Sequence, residues 1–580
     1  MSLSPVENDD SNEEGQDDGC EDSRCRDPTA PVWHCVDCDS LYCSACWPLQ
    51  RPHRPDKKGR DGIPHEKLDV HLVRQLRTIL TPQGNIEKIR SLHEKDQRNK
   101  WFGVARDLSG QPILEDYGRY AALMAEMGIA SRQYPQLVSF IGVTNAGKSS
   151  LIKMLIHHNG GSATSFPSPV VGSTAHGSEP TSGDVHLYGD PSTCRERLPI
   201  LYADCEGFEG GESTPLGSLS RKCSRSLARV QGAWGEPVFQ SRPIRWATTA
   251  ESRQREYTVT ALYPRLLYTF SDCIVFVLRN PKTFQSASLR KLLDWGASAL
   301  EMSLNQPALP HCVAVLTSGE PGIPEREYDI AVATKTLLAT VCDALDPVEG
   351  VPRFRELASH WRRLGRHIST VEDLINCYYR SFAVVRVPAQ PQYKLISDQI
   401  RKLHGTLQLN CVQSSLAKQR ARMLIGADDI DTYLQHGFDH LTTYITIPFN
   451  FMLVSLQRSP IPSDFGEHIL QLCTTLSAHF VPSDVSAASK MFTEVRIMLA
   501  SCVLLDCARF RRGSPEELFA RYEGFFRYAI TEYLQLHSPC TYISSDGSRS
   551  CVLVRARHLA KGHQDARGII TTGEHVAALD

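Results

Sequence analysis

Hydrophobic and polar positions alternate through the middle of the chain in a pattern that predicts strands separated by helices. Between residues 135 and 405, short apolar runs follow one another at spacings that leave room for a helix between them. This arrangement is typical of a three-layer α/β domain with a mainly parallel sheet. The runs predicted as strands are QLVSFIGV, LPILYADCEG, SDCIVFVLRN, PHCVAVLTSG and SFAVVRVPA.

The regions on either side of this domain show different patterns. Residues 72–134 are predicted to form a helical connector, on the amphipathic stretches HLVRQLRTIL, which begins at His71, IEKIRSLHEKDQ and YGRYAALMAEMGI. Residues 406–536 are predicted to form a mainly helical domain, and residues 537–580 a small segment of strands and turns. Residues 1–19 are acidic and polar, which predicts a disordered tail. Residues 20–71 are dense in cysteine and histidine.

Composition narrows the class of protein. The chain has 580 residues, enough for about three or four domains, and 41% are hydrophobic. A net charge of -2 argues against a broad nucleic-acid surface. The acidic start does not resemble a signal peptide, and no apolar run reaches the roughly 18 residues of a membrane span. We therefore expect a cytoplasmic protein without a transmembrane segment, whose 19 cysteines serve metal binding rather than disulfides.

The first predicted strand leads into a phosphate-binding motif. The stretch GVTNAGKS fits the pattern G-x-x-x-x-G-K-[ST], and the helical run LIKMLI follows it. Glycines let the backbone curl around an anion, and the helix N-terminus adds its positive dipole end. We expect Lys148 to reach the β- and γ-phosphates and Ser149 to bind Mg²⁺. The predicted nucleotide contacts are Gly142, Val143, Thr144, Asn145, Ala146, Gly147, Lys148, Ser149 and Ser150.

A second phosphate motif follows the next predicted strand. The segment LPILYADCEG ends in a carboxylate, Asp204, which is the candidate for holding Mg²⁺. Gly207 lets a backbone N–H approach the γ-phosphate. An acidic turn after a strand is the plainer alternative.

These two motifs resemble those of known GTPases. A phosphate loop followed by D-x-x-G on the next strand looks like the translation-factor-related GTPases. The segment DCEGFEGG is similar to the DTEG-type segment of guanylate-binding proteins and atlastins, and GVTNAGKSS is similar to the loops of dynamin- and septin-like GTPases. The resemblance implies an α/β P-loop NTPase domain over residues 135–405. It also implies a Mg²⁺-dependent GTPase that changes shape between its GTP and GDP states.

The resemblance also implies a threonine that binds Mg²⁺ and senses the γ-phosphate. Thr181, in the sequence Thr-Ser-Gly, resembles the T-x-G of guanylate-binding proteins and is the preferred candidate. Thr174 is the alternative in the same segment.

The motif that recognises the base departs from the family pattern. Thr317 fits the first position of N/T-K-x-D, and Glu320 stands in place of the aspartate, but the lysine is missing. The pair Arg279 and Asn280, after the preceding predicted strand, is an alternative that superficially resembles the R-D of guanylate-binding proteins. The loop that packs on the base is expected after SFAVVRVPA, with Pro388 and Ala389 at its tip. Guanine specificity is thus implied mainly by the family, and ATP is the alternative.

The group that orients the attacking water is the least defined part of the site. Phe208 occupies the position of the glutamine in Ras-type enzymes. Thr144 and Asn145 occupy loop positions that dynamin-like enzymes use for this purpose, whereas Ala146 replaces the loop arginine of guanylate-binding proteins. A Ser- and Arg-rich insertion, from about Gly210 to Arg255, offers further candidates: Arg221 and Arg225. We expect slow intrinsic turnover, raised by nucleotide-dependent self-association.

The N-terminal module has the ligand spacing of a double zinc site. Its eight candidate ligands are Cys20, Cys25, Cys35, Cys38, Cys43, Cys46, His53 and His65. The spacing resembles a B-box-type cross-brace, and that resemblance implies one zinc held by the first, second, fifth and sixth ligands and another by the remaining four. His34 and His71 are competitors for the last position. Such a small module lacks a core, so we expect two structural Zn²⁺ ions that support folding and contacts with protein partners.

The C-terminal segment contains a second group of ligands. Cys540, Cys551, His558 and His563 have spacings that suit a third zinc. Core cysteines beside surface histidines are the alternative.

Three functions are compatible with these motifs. The first is a GTPase switch or mechanoenzyme with a zinc-braced interaction module. The second is an ATP-using P-loop enzyme, which the altered base motif keeps open. The third is a scaffold that binds nucleotide without turnover. Nucleotide preference separates the first two, and turnover separates the first from the third.

Overall fold

A computed structural model describes most of the chain. The described residues are 19–27, 29–54, 56–59, 64–82, 86–129, 132–159, 166–171, 183–207, 240–279, 288–300, 308–317, 323–344, 351–478, 487–511, 515–558 and 562–577. Nearly all of the predicted acidic tail and residues 210–239 of the predicted insertion lie outside these ranges.

The described strands are β1 (Val32–Cys35), β2 (Ser40–Cys43), β3 (Leu68–Asp69), β4 (Lys100–Arg106), β5 (Pro112–Asp116), β6 (Gln136–Gly142), β7 (Val185–Gly189), β8 (Ile200–Cys205), β9 (Gln240–Pro243), β10 (Cys273–Leu278), β11 (His311–Leu316), β12 (Phe382–Arg386), β13 (His563–Asp565) and β14 (Gly568–Thr571).

The described helices are α1 (Val70–Leu80), α2 (Ile86–Asp96), α3 (Arg119–Met127), α4 (Lys148–Asn159), α5 (Arg255–Phe270), α6 (Leu289–Leu300), α7 (Ile330–Ala344), α8 (Pro352–Arg363), α9 (Val371–Tyr378), α10 (Tyr393–Arg420), α11 (Ala427–Thr443), α12 (Phe451–Arg458), α13 (Phe465–Ser477), α14 (Ala487–Phe510) and α15 (Pro515–His537). No helix among the described residues is long and apolar enough to cross a membrane.

The chain divides into two compact units. The first contains Met1–Ser303, Ala308–Leu416 and Ile425–Phe449, and the second contains Leu304–Pro307, Ala417–Leu424 and Asn450–Asp580. The prediction of an α/β domain followed by a mainly helical region is therefore confirmed in outline. The first unit nevertheless extends past residue 406, because it includes most of α10 and all of α11.

A nine-stranded sheet with the order β12-β11-β10-β6-β8-β7-β4-β5-β9 forms the centre of the first unit. All five strands predicted from the apolar runs are present, and they pair in parallel as β8-β6-β10-β11-β12. The other four strands pair antiparallel. The expectation of a mainly parallel sheet is therefore wrong, because the sheet is mixed.

The antiparallel strands escaped prediction for a physical reason. Strands β4 and β5 lie within the predicted helical connector, and their sequences, KWFGVAR and PILED, are interrupted by Gly103 and charged residues. They are stabilised by pairing with each other and with β7 and β9, which are distant in sequence. The sequence of β4 or β5 alone therefore says little about its pairing partners.

Helices cover both faces of the parallel half. On one face, Val275 and Val277 of β10 belong to a buried cluster that includes residues of α1, α4 and α10. On the other face, the ring of Phe276 lies 5.9 Å from that of Trp295 in α6. Because side chains alternate along a strand, successive residues of β10 reach opposite layers. The parallel half thus has the three layers expected of an α/β domain.

The second unit is mainly helical. One apolar cluster joins α13, α14 and α15, and another joins α12, α14 and α15. After α15, β13 pairs antiparallel with β14, and two isolated bridges join Pro539 to Val554 and Ile543 to Ser550.

Candidate functional site

The phosphate motif forms a tight loop between β6 and α4. A Cβ added at Gly142 would lie 2.4 Å from the carbonyl oxygen of Val277, so only glycine lets the loop start this close to β10. Gly147 has a φ of +94° and Asn145 a φ of +61°, both in the left-handed region. The loop ends at the N-terminus of α4, where the first N–H groups of a helix lack intrahelical partners. This geometry suits an anion.

Lys148, the first residue of α4, is buried against the loop. Its Nζ donates hydrogen bonds to the carbonyl oxygens of Gly142 and Val143, at 3.2 and 3.0 Å. Burial lowers the pKa of Lys148, while the nearby carboxylate of Asp204 opposes that shift. The amine is therefore held by weak, neutral acceptors beside the loop.

Ser149 and Asp204 come together although they are 55 residues apart. Strands β6 and β8 are parallel neighbours with Phe140 opposite Asp204, so their carboxyl ends share one edge of the sheet. The Oγ of Ser149 donates to Oδ2 of Asp204 at 2.6 Å. Among the described residues, Oδ1 of Asp204 has no hydrogen-bond partner, and burial raises the pKa of this carboxyl to about 6. A hydroxyl and a carboxylate in contact are the oxygen ligands that Mg²⁺ prefers.

Two further predicted residues contact the loop from neighbouring strands. A Cβ added at Gly207 would lie 2.6 Å from the backbone nitrogen of Thr144, so the D-x-x-G turn packs directly on the loop. The hydroxyl of Thr317, just after β11, donates to the carbonyl oxygens of Ala146 and Leu278, at 3.0 and 3.2 Å. The segments that follow β6, β8 and β11 thus meet at one edge of the sheet.

The remaining predicted site residues are either more exposed than these or lie outside the described residues. Asn145 is exposed on the loop, and Thr144 and Ser150 are half-buried. Arg279 follows β10 and is exposed. After β12, Pro388 is buried and Ala389 exposed. The predicted residues outside the described ranges are Thr174, Thr181, Phe208, Arg221, Arg225, Asn280 and Glu320.

The N-terminal cysteines and histidines form two separate groups. In each group the ligand atoms lie within 4.8 Å of one another, and the groups have the division that the B-box resemblance implies. We call them the outer group (Cys20, Cys25, Cys43 and Cys46) and the inner group (Cys35, Cys38, His53 and His65).

The spacing of the ligand atoms in both groups fits a tetrahedral metal. Zn–S bonds of about 2.3 Å place two sulfurs of a tetrahedron about 3.8 Å apart. The sulfurs of Cys25 and Cys43 in the outer group are 3.8 Å apart. In the inner group, Cys35 Sγ lies 3.2 Å from His65 Nδ1, and Cys38 Sγ lies 3.4 Å from His53 Nε2. Both groups could hold zinc.

Contacts around the inner group orient its histidines and exclude the competitors. His53 Nδ1 lies 3.2 Å from the carbonyl oxygen of Trp47, which can only accept, so Nε2 is free for a metal. His34 instead bonds through Nε2 to Asp39, at 3.1 Å, and His71 is exposed at the start of α1.

The C-terminal ligands also converge. Cys540, Cys551, His558 and His563 place their ligand atoms within 4.8 Å of one another. Cys540 Sγ lies 3.3 Å from His563 Nδ1, and Cys551 Sγ lies 3.4 Å from His558 Nε2. The ring of Tyr542 stacks on His563 with centroids 3.8 Å apart. This third group has the donors and spacing of a tetrahedral zinc site.

Sequence reasoning missed a buried charge network beside the D-x-x-G turn. Arg255, at the start of α5, donates to both oxygens of Glu206, at 2.5 and 2.6 Å. Glu206 also accepts from the backbone nitrogen of Asp184, and Lys100 Nζ lies 3.4 Å from the carboxylate of Asp184. These residues lie far apart in the sequence, and no local motif marks them as partners.

A comparison of the sequence with models of protein families and with curated proteins finds no match to either.

Proposed function

We propose that this chain is a Mg²⁺-dependent P-loop GTPase that resembles the dynamin, septin and guanylate-binding protein group. The observation that carries the proposal is the contact between Ser149 and Asp204 beside Lys148. The phosphate motif and the D-x-x-G motif lie in separate parts of the sequence, and the first calls for a carboxylate such as the second supplies. Their convergence is what a nucleotide site requires and what a chance match to either pattern would not produce.

The topology of the sheet supports the same site. Among the parallel strands, β8 comes next after β6 in the chain and lies on one side of it, whereas β10, β11 and β12 lie on its other side. The direction of the connections therefore reverses between β6 and β10. Ligands of open α/β sheets bind at such a switch point, beyond the carboxyl ends of the strands. The loop after β6 lies there, against Val277 of β10.

In this proposal each residue has a defined task. Lys148 exchanges its two carbonyl acceptors for phosphate oxygens, which are charged and bind an ammonium more strongly. Ser149 and Asp204 would hold Mg²⁺, and a bound Mg²⁺ neutralises charge on the β- and γ-phosphates. Gly207 keeps its backbone close enough to the loop to contact the γ-phosphate. Thr181 is the proposed γ-phosphate sensor.

The attacking water and the base are assigned less directly. Thr144 and Asn145 are the proposed water-orienting residues, since both belong to the loop. Thr317 contacts the loop through Ala146, so the end of β11 is within reach of a nucleotide bound there. Glu320 would accept hydrogen bonds from the guanine edge. This part of the proposal is the one that an ATP preference would overturn.

The metal groups have a structural role in the proposal. Each comprises four protein ligands, so a tetrahedral zinc would have no open position for catalysis. The N-terminal module would stabilise its own fold and contact protein partners.

The test is nucleotide binding and hydrolysis by the purified full chain. GTP and ATP are compared in the presence of Mg²⁺, over a range of protein concentrations, for the wild type and Lys148→Ala. Lys335→Ala, which removes an exposed lysine of α7 in the same unit, is the matched control. We expect GTP turnover that is lost in Lys148→Ala, kept in Lys335→Ala, and higher per molecule at high concentration.

Three other results would change the assignment. Turnover of ATP alone would identify an ATP-using enzyme. Binding without turnover would identify a nucleotide-binding scaffold. No binding of either nucleotide would refute the proposal.

A further inference from the structure

Helix α1, which follows the N-terminal module, packs into the buried core on one face of the nine-stranded sheet. Helix α1 begins directly after β3, and the carboxylate of Asp69 caps its N-terminus. Its apolar face is buried in the same cluster as the helix that carries Lys148. The members from α1 are Val73, Leu76 and Ile79, and those from α4 include Leu151, Ile152 and Leu155. The position of α1 therefore bears on the packing of α4.

The inner group is connected to α1 through backbone pairing. Strand β3 pairs with β1, with His34 opposite Leu68, and β1 ends at the inner-group ligand Cys35. Val36, between the ligands Cys35 and Cys38, packs against the same buried cluster as α1 and α4. The segment that carries two inner-group ligands thus also packs against the buried core beside the sheet.

Two inner-group ligands are each followed by an acidic residue that bonds to a helix packed on the sheet, either α1 or α10. Asp39, after Cys38, accepts from Arg77 of α1 at 2.5 Å. Glu66, after His65, pairs with Lys394 of α10. Both pairs are exposed, so each contributes little energy. They contribute to the orientation of the inner group relative to α1 and α10, while the apolar packing supplies the strength.

In the part of the chain that the structure describes, residues close to the outer-group ligands bond within the module. The backbone nitrogen of Glu21 donates to Leu41, at 2.9 Å. Gln50 donates to Asp22 at 2.6 Å, and the indole of Trp33 donates to Ser44 at 2.9 Å. The two groups are therefore alike in ligand number but differ in what surrounds them.

We propose that zinc in the inner group keeps the nucleotide-binding site competent, and that zinc in the outer group does not. Without a metal, Cys35, Cys38, His53 and His65 are no longer held together, so β1, β3 and the start of α1 lose their anchor. Helix α1 then packs less firmly on α4, whose first residues, Lys148 and Ser149, follow the phosphate loop directly. The nucleotide part of this inference rests on the proposed function. The packing part does not.

The experiment compares two matched ligand variants of the full chain. Cys38→Ser removes an inner-group thiolate and Cys25→Ser an outer-group thiolate, and both cysteines are half-buried. Zinc content, affinity for a fluorescent GTP analogue with Mg²⁺, and hydrogen exchange of α1 and α4 are measured for each. We expect both variants to lose zinc. Cys38→Ser should weaken nucleotide affinity about tenfold, a common size for coupling between sites, and speed exchange in α1 and α4. Cys25→Ser should leave both at the wild-type level.

Equal effects of the two variants would overturn the proposal, as would wild-type exchange in α4 after loss of the inner zinc. If the wild type binds no nucleotide, the proposed function fails, but the exchange of α4 still decides the coupling.

A second variant guards against misfolding of Cys38→Ser. The double substitution Asp39→Asn and Glu66→Gln keeps every ligand and removes the charges that face Arg77 and Lys394. An asparagine at position 39 can still accept a hydrogen bond from His34. Asn tolerates the left-handed φ of +51° at position 39. We expect full zinc content with a smaller change of α4 exchange in the same direction. A change of α4 exchange in the double variant as large as that in Cys38→Ser, with zinc retained, counts against the coupling, because the ion pairs rather than the zinc would then hold α1.

Discussion

The two halves of the nine-stranded sheet are stabilised by different interactions. The central strands of the parallel half are apolar: CIVFVL in β10 is buried at every position. The antiparallel half buries charge as well, including Lys100 at the start of β4 and Asp116 at the end of β5. Apolar burial needs no particular partner, whereas a buried charge needs a matched one. The strands of the parallel half can therefore be predicted from apolar runs in the sequence, whereas those of the antiparallel half are recognised only from their tertiary contacts.

The charge network beside β7 is the clearest case of this dependence. Burial opposes the charge on Arg255, but its hydrogen bonds to Glu206 outweigh that effect and raise the pKa of the guanidinium. Glu206 and Asp184 are both almost completely buried. Neither carboxylate would be stable in this place without a cation. Removing one partner of this ion pair should therefore lower the free energy of unfolding more than shortening an apolar side chain in the parallel half does.

The largest effect is expected for Arg255→Met. The substitution keeps bulk but leaves Glu206 without the partner of its bidentate ion pair. We expect a loss of about 3–5 kcal/mol in the free energy of unfolding, as for other broken buried pairs. Urea denaturation of the full chain measures it. Arg253→Met removes an exposed arginine two residues earlier, which donates to the carbonyl oxygen of Ala247 at 3.3 Å, and should change the free energy by about 1 kcal/mol or less. Adding Glu206→Gln should recover part of the loss, and a loss no larger than for Arg253→Met would break the comparison.

The second prediction concerns the dependence of stability on pH. Burial raises the pKa of Asp96 to about 7, although Asn99 and Tyr188 donate hydrogen bonds to it. Between about pH 4 and 7 the unfolded chain releases this proton while the folded chain keeps it. Stability should therefore fall as the pH rises through this window and level off above it.

Asp96→Asn mimics the protonated form and should remove this dependence. The variant should match the wild type near pH 4 and exceed it at pH 7 by up to about 4 kcal/mol, at 1.36 kcal/mol per pKa unit. Urea denaturation at several pH values measures the difference. A difference that is the same at pH 5 and pH 7 would contradict the assigned shift.

The last two predictions compare the deletion of a single atom in each half. Tyr263→Phe removes the oxygen that accepts from the buried backbone nitrogen of Val104, at 2.9 Å. The unpaired N–H should reduce the free energy of unfolding by about 1–3 kcal/mol. Thermal or urea denaturation tests it, and slower exchange of the Val104 amide in the variant would argue against the bond.

Ile274→Val removes one carbon from a fully buried side chain of β10. We expect the smallest effect here, about 0.5–1.5 kcal/mol, since neighbouring apolar groups lose only contact area. Measured alongside Tyr263→Phe, it shows whether an oxygen in the antiparallel half contributes more than a carbon in the parallel half. A larger loss for Ile274→Val would reverse the comparison.

Much of the candidate site could be read from sequence because its motifs are local. The fixed positions from Gly142 to Ser149 follow one another in the chain, and the apolar run before them predicts the strand. The cysteine and histidine spacings likewise indicate metal ligands, because a tetrahedral site draws on residues close in sequence. By contrast, neither the bond of Arg255 to Glu206 nor that of Arg77 to Asp39 has a local signal.

The sequence by itself determined the parallel strands, the glycine-bounded loop between β6 and α4, and the cysteines and histidines that converge as candidate metal ligands. Each depends on residues within one short stretch, where periodicity and spacing reflect backbone geometry directly. The tertiary structure decided that β4, β5 and β9 join the sheet, that Ser149 meets Asp204, and that the inner group is built onto α1. These features arise where distant segments meet, and the free energy of each contact depends on a partner that no local pattern specifies.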